Sequence, residues 1–129
     1  MAEKGEGFYP YQAPIEAYGR GGFRFAGMSH RGSLLCLPTG MHKWDVTQPA
    51  DITGASLAPV FEAADQLDVL LIGLGSGIAA IDPALRAALR ERGIIVEAVA
   101  TGGAVRTYNI LLGESRAVGA ALIAVESAR

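Results

Sequence analysis

Apolar and polar positions follow three periods along the chain, and each period predicts a different element. Ile15-Glu16-Ala17-Tyr18 alternates, Gly19-Arg20-Gly21-Gly22 supplies residues tolerant of φ > 0, and Phe23-Arg24-Phe25 alternates again, which predicts a β-hairpin. Gly27-Met28-Ser29-His30-Arg31-Gly32 reads as a second turn. Ser33-Leu34-Leu35-Cys36-Leu37 reads as a strand buried on both faces that Pro38 stops. The first third is expected to be an antiparallel β module, with Met41-His42-Lys43-Trp44-Asp45 lying between it and the first helix.

From Ser56 the period becomes helical: Leu57, Val60, Phe61 and Ala64 fall at i, i+3, i+4 and i+7. Asp68-Val69-Leu70-Leu71-Ile72 is an unbroken apolar strand that ends in the glycine loop 73–77. Asp82 and Pro83 then open a helix as N-cap and first helical residue, and Gly93 ends it before the strand Ile94-Ile95-Val96-Glu97-Ala98-Val99. This is a βαβ unit with a parallel, right-handed crossover. Thr101 is positioned to cap a further helix, whose buried face is Ala104, Val105, Tyr108, Leu111 and Leu112. The segment Leu122-Ile123-Ala124-Val125 is expected to be a last sheet strand after a helical or bent start.

Residues 1–14 show no period and read as a flexible tail, leaving residues 15–129 as a single α/β domain. The composition, 50% hydrophobic and 19% charged, suits a globular domain that needs no metal or disulfide to assemble a core. With 13 Asp and Glu against 11 Lys and Arg, and no block of like charge, nucleic acid is a poor partner. The apolar stretch 69–81 is too short to span a bilayer, which takes about 20 residues. A lone Cys36 and a polar opening segment without an apolar signal region lead us to expect a cytoplasmic location.

Candidate chemistry is sparse. Gly73, Gly75, Ser76 and Gly77 follow a strand as in a dinucleotide-binding loop, but Ile78 stands where a small residue is needed and the cap Asp82 would repel phosphate. The alternative is a tight βα turn. Thr101, Gly102, Gly103 and Ala104 form a second glycine turn, here with a neutral hydroxyl at a helix N-terminus. If the two strands are neighbours, both loops border one crevice that could serve a partner, or a small ligand or anion in a binding protein or an enzyme, or else the glycines serve close packing. No residue pair supplies a nucleophile beside a base: Cys36 reads as core, and His30 and His42 as solvated loop residues. No spacing suits a metal, and no cofactor is expected. Trp44 is either a core plug or a partner anchor. Tyr108, Asn109, Glu114 and Arg116 are expected to fix the helix exit against the sheet, with Arg116 holding free carbonyls or a carboxylate.

The order hairpin, strand ending in proline, isolated Trp44, short helix, Leu-Leu-Ile-Gly-Leu-Gly at 70–75, helix and Thr-Gly-Gly-Ala at 101–104 resembles a family of small Mth-type domains. The resemblance covers residues 15–125 and is most specific at Thr107-Tyr108-Asn109-Ile110-Leu111-Leu112-Gly113-Glu114-Ser115-Arg116. It implies a compact α/β domain with a mixed central sheet, flanking helices and a β-rich extension. For function it implies a helper in building the membrane-bound NADH:quinone oxidoreductase, working through protein contacts, with no established catalytic residues or cofactor.

Overall fold

The structure, a computed structural model, describes residues 8–77 and 79–128. Three strands, β2 (Ala17–Gly19), β3 (Gly22–Phe25) and β4 (Met28–Arg31), form an antiparallel sheet in the order β2-β3-β4. Each connecting turn puts a non-glycine and then a glycine at positive φ: Arg20 (54°) with Gly21 (76°), and Ala26 (53°) with Gly27 (74°). These are type I′ turns, whose twist matches that of the strands they join. The segment expected as a second turn therefore holds a strand. Polar, mostly exposed side chains leave β4 without an apolar alternation, and it is fixed by backbone pairing to β3.

The main sheet has six strands: β1 (Phe8–Tyr9), β5 (Ser33–Leu37), β6 (Gly40–Trp44), β7 (Val69–Gly73), β8 (Ile95–Val99) and β9 (Val118–Leu122). Their order is β1-β6-β5-β9-β7-β8. β7 runs parallel to both β8 and β9, while β9, β5, β6 and β1 pair antiparallel in turn, so the fold is the mixed α/β domain that the resemblance implied. The helices are α1 (Ala58–Glu62), α2 (Pro83–Glu91) and α3 (Thr101–Gly113). Asp82 caps α2 by accepting from the Ala84 amide at 2.9 Å.

The strand period divides the core. Leu35, Leu37, Leu70 and Ile72 join Val60 and Leu89 on the side of α1 and α2. Leu34, Cys36 and Leu71 face the other way and join Phe23, Phe25 and Tyr108 under the small sheet and α3.

Three further expectations are corrected. Of the expected tail, residues 1–7 lie outside the described residues, but Phe8 and Tyr9 pair with His42 and Met41, and Ala13 is buried. The connection 41–45 is largely strand β6, reached from β5 through a two-residue turn, so His42 and Trp44 lie on a strand, as His30 lies on β4. The last strand comes earlier than expected and ends at Leu122. Its small residues suit a central position: a Cβ on Gly119 would sit 3.0 Å from Leu67 and 3.1 Å from the Cys36 carbonyl.

Candidate functional site

The two glycine loops meet at the C-terminal ends of β7, β8 and β9, and Thr101 fills the space between them. Its hydroxyl donates to the Ile123 carbonyl at 2.7 Å and accepts from the Gly75 amide at 3.0 Å. Around it, Leu74 N donates to Val99 O (2.8 Å), Thr101 N to Gly75 O (2.9 Å) and Ile123 N to Gly73 O (3.0 Å). Thr101 is completely buried. It is the first residue of α3 rather than its cap, which is Ala100. Buried amides and carbonyls at strand ends need partners, and the hydroxyl satisfies one of each.

The glycines fit this closure. A Cβ on Gly73 would meet the Thr101 hydroxyl at 2.9 Å, and one on Gly102 would meet the Tyr18 hydroxyl at 2.5 Å. Gly75 turns the chain at φ 95°. Ala104 is buried, Gly103 packs on Val99, and only Ser76 and Gly77 of the eight residues lie fully at the surface. The loops are thus brought together, and the crevice between them is occupied by the protein itself.

Tyr108 and Asn109 act on the entering chain rather than on the helix exit. Tyr108 Oη donates to Ala13 O (2.8 Å), Asn109 Nδ2 donates to Ile15 O (2.9 Å) and Asn109 Oδ1 accepts from Ile15 N (2.8 Å). Gln12 Nε2 completes the attachment by donating to Val118 O at 2.7 Å. Glu114 and Arg116 are exposed, and neither side chain hydrogen-bonds among the described residues. The carbonyls expected to engage Arg116 are met by backbone: Ser115, at φ 63°, donates to Leu112 O (2.9 Å), and Arg116 N donates to Leu111 O (3.0 Å). This is a Schellman cap, which leaves the guanidinium without that task.

Trp44 is buried and donates its indole N–H to Ser56 O at 2.8 Å, pinning the loop before α1 over the core. Cys36 is fully buried, and burial pushes its thiol well above the ordinary range, so it stays protonated. Burial raises the Tyr108 phenol likewise. His42 shares a 2.9 Å hydrogen bond with Thr39, lies against the Phe8 ring, and is lowered from its ordinary pKa by burial. Among the described residues no three His, Cys, Asp or Glu gather as metal ligands, and no helix is long and apolar enough to cross a membrane.

Two open concavities lie elsewhere, on the two sides of β4. One, about 780 Å³, covers the outer face of the small sheet, where Arg20, Arg24 and Arg31 surround a floor of Ala17, Gly19 and Gly22, with Glu126 at the wall. The other, about 430 Å³, is a groove between β4 and the main sheet lined by Phe8, Met28, Leu34, Met41 and Lys43. Both include Ser29, His30 and Arg31. Sequence reasoning missed this region because its walls come from distant segments. The three arginines at 20, 24 and 31 are the one available signal.

The family described as protein of unknown function (DUF498/DUF598) matches residues 15–123. A mouse protein, NADH dehydrogenase [ubiquinone] 1 alpha subcomplex assembly factor 3, is 32% identical over 115 residues, covering 89% of this chain and 62% of its own. The chain thus spans about three-fifths of the length of that relative. A Bartonella henselae protein described as an outer membrane protein superposes with a TM-score of 0.87 at 50% identity, over 92% of this chain and 99% of its own. A Mth938-like domain from Bordetella pertussis superposes with a TM-score of 0.75 at 28% identity, over 89% of this chain and 88% of its own.

Proposed function

Because this chain belongs to the DUF498/DUF598 family of Mth938-like domains, we propose that it is a non-catalytic protein-binding factor that assists assembly of the respiratory NADH:quinone oxidoreductase. The observation that carries this reading is the 32% identity, across 89% of the chain, to the mouse assembly factor. Two features of the site support it. The crevice at the strand ends is stitched shut by Thr101, and the one thiol is buried and kept protonated. A protein of this kind works by presenting a surface, here in the cytoplasm, to components of the enzyme under construction.

Deleting the gene and measuring assembled NADH:quinone oxidoreductase and its activity in membranes tests the reading. Both should fall and return when the gene is restored. Normal content and activity in the deletion strain would overturn it.

A further inference from the structure

Among the described residues β4 is an edge strand, with β3 on one side and no strand on the other. Its pairing to β3 runs Phe25↔Met28, Arg24↔Ser29, Phe23↔His30 and Gly22↔Arg31. In a two-residue hairpin the pair next to the turn exchanges hydrogen bonds and the pairs then alternate, so Met28 and His30 bond to β3. The Gly32 amide, which donates to Gly21 O at 2.7 Å, continues that alternation. Ser29 and Arg31 therefore turn their N–H and C=O groups outward, and no other backbone bonds them among the described residues.

The surroundings of this edge differ on its two sides. The inner side overhangs the 430 Å³ groove, where Phe8 (44% exposed) and Met28 (40%) present apolar surface to solvent. The outer side carries Arg24 and Arg31 on one face of the sheet, beside Arg20. A strand laid along β4 would send alternate side chains into these two environments.

We infer that β4 is a docking edge for an extended segment of a partner protein, in which apolar residues enter the groove and acidic residues at the alternate positions meet the arginines. This deepens the protein-contact reading and rests on it. The outward Ser29 and Arg31 groups supply the register, and charge complementarity selects the face.

Selection of a displayed library of random 12-residue peptides on the purified full chain tests the inference. Enriched peptides should alternate acidic and apolar residues. In amide NMR spectra they should shift Ser29 and Arg31 and slow their hydrogen exchange. Ser29→Pro removes an N–H that β3 does not use and should weaken these peptides about tenfold or more. Arg24→Glu with Arg31→Glu should do the same, and dispersed spectra would establish that both variants fold. Failure to enrich alternating peptides, or peptides that bind Ser29→Pro undiminished, would overturn the inference. So would a concentration-dependent dimer abolished by Ser29→Pro, which would assign the edge to a second copy of the chain. The selection does not depend on the respiratory phenotype, so a null deletion strain and a null selection refute different statements.

Discussion

Asn109, on the third helix, grips Ile15 at both backbone groups: its carboxamide accepts from the Ile15 amide at 2.8 Å and donates to the Ile15 carbonyl at 2.9 Å. The side chain thereby imitates a strand partner for Ile15, which no backbone group bonds among the described residues, and Tyr108 holds Ala13 two residues earlier. Replacing Asn109 with Ala leaves two partly buried backbone groups unpaired, at about 1–3 kcal/mol each. Asn109→Ala should therefore lower the melting temperature by roughly 2–8 °C per kcal/mol lost. Asn109→Asp, which keeps the acceptor and loses the donor, should fall between Ala and wild type. Thermal denaturation of the three proteins checks the order.

Thr101→Val keeps the shape of the side chain and removes the hydroxyl that serves Gly75 and Ile123. The loss should be about 2–4 kcal/mol, because one buried donor and one buried acceptor are left unpaired, and Thr101→Ser should recover most of it. Chemical denaturation gives these values. Faster hydrogen exchange at the Gly75 amide in Thr101→Val would locate the effect.

The end of the third helix yields a paired prediction. Arg116→Ala should change stability by no more than about 0.5 kcal/mol, since the side chain is exposed and the cap is made by backbone. Ser115→Gly should stabilise by about 0.5–1 kcal/mol, because serine at φ 63° is strained where glycine is not. Equilibrium unfolding of both variants decides the matter.

His42 should titrate below the ordinary histidine value of about 6.5 when followed by its ring proton shifts. Burial disfavours its charged form, so the unfolded chain binds the proton more readily. The contribution of this group to stability is complete above the unfolded value of about 6.5 and declines as pH falls through that value and on toward the folded pKa. In His42→Gln this part of the pH dependence should disappear from denaturation curves measured between about pH 5 and 8.

The fold is legible in the sequence wherever burial leaves a mark on the period. Leu34–Leu37 and Val69–Gly73 carry no polar side chain because both of their faces are covered, and the helix opened by Asp82 and Pro83 announces its cap. β4 and β6 look like connections because strand pairing is made by backbone, which any side chain permits; His30, Arg31 and Lys43 say nothing of it. The βαβ pattern makes the two glycine loops neighbours, but whether a crevice between them stays open depends on where one hydroxyl points. Thr101 has both a helix cap and a strand end within reach, and only the buried Ile123 carbonyl decides between them. Arg116 looks suited to work that the positive φ of Ser115 does instead, and dihedral angles are not written in residue order.

The most direct test of an assembly role is to follow this chain through assembly: tag it at its native locus, arrest synthesis after a pulse of labelled amino acid, and resolve membranes and soluble extract on native gels over time. The tagged chain should migrate with labelled partial assemblies of NADH:quinone oxidoreductase and be absent from the finished enzyme. A chain that never migrates with those subunits, or that persists as a part of the mature enzyme, would contradict the role.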